Sequence, residues 1–164
     1  MASRASRASL ALLGGRHNEV LQRLFVRYAL PSARGHVPSL ADVAHAELDC
    51  ACFMRFAQDL KLCPNLMSRL DLVRLFQSFC EARAELAAAS VTYSQFVELL
   101  LQAAMMLFSG PEWSVFPEAG HKIQLLFLAI DMHNGSKLFE GAAELLNAVR
   151  FTGHSVSRVV GRAN

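Results

Sequence analysis

Charge is scarce in this chain: of its 164 residues only 18% are Asp, Glu, Lys or Arg, while 53% are hydrophobic. That balance excludes a disordered chain, which cannot bury enough apolar surface to offset the entropy of ordering, and points to a packed globule. Glycine is missing where phosphate chemistry would need it. Gly14-Gly15 stands isolated, so neither a P-loop nor a dinucleotide-binding turn is present. The nucleophile elbow Gly-x-Ser-x-Gly and the zinc motif His-Glu-x-x-His are also absent. No apolar run reaches the roughly 18–20 residues of a membrane span. The longest approach, Phe96 to Phe108, is interrupted by Glu98 and Gln102 and ends at Ser109-Gly110-Pro111, so a soluble chain is expected.

The formal net charge is +2, and the excess sits at the two ends. Arg4, Arg7 and Arg16 precede the first acid, and Arg150, Arg158 and Arg162 follow the last. A nucleic-acid binder carries a basic face across its folded body; none is readable here, and no nucleic-acid partner is expected. The four cysteines, Cys50, Cys52, Cys63 and Cys80, lie in apolar, helix-like stretches without the spacing of a disulfide scaffold. Cys50-Ala51-Cys52 with His45 nearby raises a zinc reading, but a one-residue gap on a helix points the two thiols apart. Buried, reduced thiols in a cytosol-like compartment are the expectation.

Residues 1–17 combine Arg, Ser and Ala with an apolar patch, Leu10 to Leu13, and no acid. Two readings fit: a basic, disordered arm, with Ser6 and Ser9 as weak phosphorylation candidates after Arg4 and Arg7, or a mitochondrial presequence. The helical body is expected over 18–151, with a loosely ordered tail over 152–164.

Six helices are expected in the body. The first runs from an N-cap at Asn18 to Leu30, carrying Leu21, Leu24, Phe25 and Tyr28 at helical spacing, and stops at Pro31. The second runs from Ser39, with Asp42 in capping-box position, to about Leu60. The third begins at Ser68, with Asp71 placed likewise, and an Ala-rich stretch from Ala82 to Ala89 extends it. Val91 is suited to a single extended pairing, and Thr92 with Gln95 then caps a fourth helix reaching Phe108, apolar nearly all round. A loop holding Trp113 and Phe116 leads to a fifth helix, His121 to Ile130, a turn, Asp131 to Lys137, and a sixth helix, Leu138 to Arg150. With no alternating strand pattern the fold class is all-α.

His17, His36, His45, His121, His133 and His154 are scattered, and no acid pair is singled out for proton transfer, so no catalytic residue is assigned and no enzyme is expected. An EF-hand loop needs side-chain oxygens at its first, third and fifth positions, glycine at the sixth and glutamate at the twelfth. The best frame starts at Asp131 and offers His133, Gly135, Ser136 and Ala142 at those places, with Leu138 at the apolar eighth. The frame survives without its ligands, and no metal or cofactor is expected.

Several segments are familiar in their spacing: Phe53-Met-Arg-Phe-Ala-Gln-Asp59-Leu60-Lys-Leu62, then Asp71-Leu-Val-Arg-Leu-Phe76, then Val91-Thr-Tyr-Ser-Gln-Phe96, with Leu24-Phe25-Val-Arg-Tyr28-Ala29 upstream. Over roughly residues 21–106 the chain resembles the tubulin polymerization-promoting protein family, and flagellar and axonemal proteins look similar too. The resemblance implies EF-hand-like helix-loop-helix pairs packed into one compact domain and a cytoskeletal role, with tubulin or an axonemal protein as partner. The basic C-terminal motif of that family has no visible counterpart, and the loop after the third helix is longer. The expected function is therefore a non-catalytic adaptor of a ciliary or flagellar assembly. The alternatives are a calcium-responsive sensor or an accessory subunit of a mitochondrial complex. Partner contacts are expected at Trp113 and Phe116 in the long loop, at Met105, Met106 and Leu107, and at Arg4 and Arg7 of the arm against an acidic surface. The competing reading puts the apolar five in the protein's own core.

Overall fold

The computed structural model describes residues 15–30, 39–83, 89–135 and 138–139. In chain order the elements are α1 (Gly15–Ala29), α2 (Leu40–His45), β1 (Leu48–Asp49), α3 (Cys50–Asp59), α4 (Arg69–Glu81), β2 (Ser90–Val91), α5 (Tyr93–Leu107), a 3₁₀ turn (Pro111–Trp113) and α6 (Ala119–Asn134). The described chain is thus all-α apart from two dipeptide strands. These pair antiparallel, Leu48 opposite Val91 and Asp49 opposite Ser90.

Each strand runs straight into a helix cap. Asp49 accepts the Cys52 N–H on Oδ1 at 2.7 Å, and the Gln95 side chain reaches back to accept the Thr92 N–H at 2.8 Å. Both bonds satisfy backbone donors that would otherwise be orphaned at a helix start. Leu48 and Val91 are fully buried, so the pairing registers two helix–strand–helix units while sinking one apolar side chain from each. Ser90 donates from Oγ to Glu47 Oε2 at 2.6 Å beside the pairing.

Three expected boundaries move. The second helix is not continuous from Ser39 to Leu60. The Ser39–Asp42 capping box starts α2, but the chain turns extended at Ala46, which frees Leu48 to pair and Asp49 to cap α3. The first helix starts at Gly15 and not at Asn18, whose Oδ1 instead accepts the Tyr93 hydroxyl at 2.7 Å. The fifth expected helix is longer at both ends as α6, absorbing Asp131 to Asn134, and closes on Gly135 in the left-handed region (φ 60°). By contrast α4 starts where expected, with Asp71 N–H donating to Ser68 Oγ at 3.1 Å. The expected Leu138–Arg150 helix, the extension beyond Arg83 and the tail over 152–164 lie outside the described residues, save Leu138, Phe139 and Ala89.

One continuous apolar core joins these helices, α2 contributing only the half-buried Val43 packed against it. Its centre is a ring cluster: Phe25 of α1 and Phe56 of α3 meet Phe96 of α5 at centroid distances of 5.4 and 5.1 Å, and Phe53 of α3 meets Phe76 of α4 at 5.5 Å. Each fully buried ring contributes about 2–3 kcal/mol by removal from water, and good ring pairs add roughly 1 kcal/mol. The α3–α4 link is tied to the far end of α6: Asn134 donates to the Leu60 carbonyl at 2.8 Å and Lys61 Nζ to the His133 carbonyl at 3.1 Å. Lys61 itself adopts a left-handed backbone (φ 57°), a conformation that costs about 1 kcal/mol or more outside glycine and needs such anchoring.

All four cysteines are free, but only Cys63 is buried; Cys50, Cys52 and Cys80 are half-buried, against the expectation that all would be. Partial burial pushes the thiols of these three above their ordinary range, and the Asp49 carboxylate adds to it at Cys50 and Cys52. Such thiols stay protonated and weakly reactive at neutral pH.

Candidate functional site

Helix α5 is the spine of the core, burying Tyr93, Phe96, Val97, Leu99, Leu100, Ala103 and Ala104. Glu98 is the one buried charged residue among those described. Arg83, beyond the end of α4, pairs with it through Nη2 and lies 3.7 Å above the Phe79 ring centroid. The pair pins α4 to α5 with a charge-assisted hydrogen bond while the guanidinium covers an aromatic face. The last turn of α5 changes character. Met105 and Met106 are 39% and 49% exposed, and Leu107 is half-buried.

The chain then folds back on itself. Phe108 is buried, the Ser109 hydroxyl donates to the Met106 carbonyl at 2.9 Å, and the 3₁₀ turn begins with Pro111. The turn brings Trp113 edge-on to Phe108 with centroids 4.7 Å apart. Phe116 follows, its ring 6.1 Å from that of His121 at the start of α6. The expectation that the aromatics of this loop are exposed is therefore corrected: Trp113 is 4% and Phe116 8% exposed. The reason is local. Backbone bonds from Trp113 N–H to Gly110, from Ser114 to Pro111 and from Phe116 to Trp113 coil the segment tightly enough to turn both rings inward. The methionines do the opposite of filling the core, and Val115, which pattern reading overlooks, joins them at 45% exposure. Its place beside exposed Ser114, between two inward rings, puts it on the outer side of the turn.

Met105 and Met106 are thus adjacent exposed apolar residues at the end of α5, and Val115 is exposed in the turn that follows. Unbranched thioether side chains suit such a place, since they repack against varied partner shapes and are polarizable. Single exposed apolar residues are normal on any protein; the adjacency of two methionines is what marks this end. Arg4 and Arg7 lie outside the described residues.

Of the calcium frame starting at Asp131, only residues 131–135 and 138–139 are described. Its first four positions are helical, and the Asp131 carboxylate accepts the Phe139 N–H at 3.0 Å. Among the described residues no three His, Cys, Asp or Glu side chains gather as a metal site. Nor is any described helix long and apolar enough to cross a membrane. Comparison of the chain with protein-family models, with curated proteins and with solved structures finds no match.

Proposed function

We propose that this protein is a non-catalytic adaptor of a microtubule-based cytoskeletal assembly, ciliary or flagellar, acting through protein–protein contacts. The observation that carries the adaptor reading is the reversal at the end of α5: the helix that forms the centre of the core ends in two adjacent exposed methionines. The cytoskeletal part rests on the spaced hydrophobics shared with the tubulin polymerization-promoting proteins. Two features of the fold support an EF-hand-like body in that reading. Two helix–strand–helix units pair through Leu48 and Val91, and each strand leads directly into its second helix. The frame that would hold calcium is instead occupied with structural bonding at Asp131.

The test is proximity labelling in the native cell with a C-terminal tag, paired with the variant Met105→Gln/Met106→Gln. Exposed substitutions of this kind change stability by no more than about 0.5 kcal/mol each, so a loss of labelling reads binding and not unfolding. Tubulin or axonemal proteins should dominate the labelled set and fall severalfold in the variant. Mitochondrial complex subunits in their place would overturn the cytoskeletal reading. An unchanged labelled set in the variant would overturn the assignment of the docking surface.

A further inference from the structure

Beyond the α5 surface, one residue after α6 is held in an unusual way. Phe139 is 1% exposed, whereas Leu138 beside it is 37% exposed. The Phe139 ring stacks on Phe127 of α6 at 4.3 Å and 8° and meets the edge of His17 from α1 at 6.2 Å. Its backbone N–H and carbonyl are held by side chains of two helices. Asp131 accepts its N–H, with Oδ2 at 3.0 Å and Oδ1 at 3.3 Å, and His17 Nε2 lies 2.9 Å from its carbonyl. Because a carbonyl only accepts, His17 donates there and carries its proton on Nε2. One side of the socket therefore comes from α6 and the other from α1, at the opposite end of the described chain.

This is chemistry by which proteins capture a single residue of a bound peptide. Side chains satisfy the main-chain N–H and C=O of one residue, a cavity takes its ring, and the next side chain points to solvent. We propose that His17, Phe127 and Asp131 form a recognition socket for a short peptide carrying a phenylalanine, and that Phe139 fills this socket in cis. The carboxylate reads the peptide N–H, the imidazole reads the carbonyl, and the Phe127 face selects a flat ring. A partner segment of this chemistry competes with the protein's own. The tether gives residue 139 an effective concentration on the order of millimolar, so the socket is closed to weaker or more dilute competitors. The inference does not depend on which assembly the protein serves, and it survives a failure of the cytoskeletal reading.

The test uses the full chain and a fluorescent hexapeptide of residues 136–141, Ser-Lys-Leu-Phe-Glu-Gly. The variant Phe139→Ala empties the socket. The hexapeptide should bind this variant at least tenfold more tightly than it binds wild type, and replacing the peptide's own phenylalanine by alanine should abolish binding. NMR amide shifts should move at His17 and Phe127. A folded Phe139→Ala protein that ignores the peptide overturns the proposal. So does equal binding by wild type and variant, or equal binding of the alanine peptide. If Phe139→Ala does not fold, a protease site placed between residues 136 and 137 of the otherwise native chain replaces it. After cleavage the labelled peptide should enter the socket in excess, and failure to enter would equally sink the idea.

Discussion

Trp113 and Phe139 each close a turn after a long helix, yet they are held by opposite means. Trp113 packs against Phe108 five residues earlier, and its turn is coiled by backbone bonds within residues 110–116. Phe139 is fixed by side chains, and one of its partners, His17, lies 122 residues away. A local closure forms as soon as α5 does, whereas the distant one requires α1 and α6 to be docked first. Both rings sit in the one buried core; the contrast predicts that the distant closure opens at lower cost than the local one.

The sharpest way to break this comparison is to truncate each ring. Trp113→Ala removes a buried indole that seals the exit from α5, and a loss of about 3–5 kcal/mol is expected, seen as a large fall in the urea midpoint. Phe139→Ala should cost no more than about 3 kcal/mol, because its segment can detach without unfolding the body. Native-state hydrogen exchange would separate the two. Trp113→Ala should lower protection across α5, and Phe139→Ala only near the start of α1 and the end of α6. Equal global destabilisation by both variants would show that the two turns belong to one cooperative unit.

The contrast also explains which parts of the fold are legible in the sequence. Capping residues act over three or four positions, so Ser39 with Asp42, Ser68 with Asp71 and Thr92 with Gln95 mark true helix starts. Val91 reads correctly as an extended residue for the same reason: its β-branch and the cap behind it are local. The break at Ala46 is invisible because the helical period from Val43 to Phe53 is continuous on paper, and only burial of Leu48 against Val91 pulls the chain out of it. Of the docking surface, Met105 and Met106 are legible as apolar residues at a helix end, but not which way they face. Loop position suggests exposure for Trp113, and only the coiled turn reverses it. Nothing in the sequence pairs His17 with Phe139, since no spacing rule spans that distance.

A second, smaller effect tests whether the core spine itself is one unit with the Trp113 turn. Arg83→Ala removes the guanidinium paired with buried Glu98, and breaking a buried pair in this way costs about 3 kcal/mol. The double variant Arg83→Met/Glu98→Leu removes both charges and should recover most of that loss, because a well-packed apolar pair is often as stable as a buried ionic one. Thermal melts of the three proteins check it. If the double variant is as unstable as the single, the ion pair itself, and not the cost of a broken pair, sets the α4–α5 contact.

The smallest effect reaches the distant closure from the other side. Tyr93 donates its hydroxyl to Asn18, to Oδ1 at 2.7 Å and to the carbonyl at 3.1 Å, next to the His17 that holds Phe139. Burial pushes the Tyr93 phenol well above its ordinary range. In the unfolded chain the same phenol titrates near pH 10, so above about that pH the unfolded state binds fewer protons and stability falls as pH rises. The slope from this one group is at most about 1.4 kcal/mol per pH unit, and the contribution is fully present below about pH 9. Tyr93→Phe should lose about 1 kcal/mol at neutral pH, through the hydroxyl bond lost to Asn18, and should then decline less steeply than wild type between about pH 10 and 11. Urea melts at half-unit steps of pH measure both slopes. Parallel curves would mean that Tyr93 does not link α1 to α5 in solution. A shallower variant curve, with exchange protection near Phe139 already reduced at neutral pH, would show that the clasp on α1 is what keeps the socket assembled.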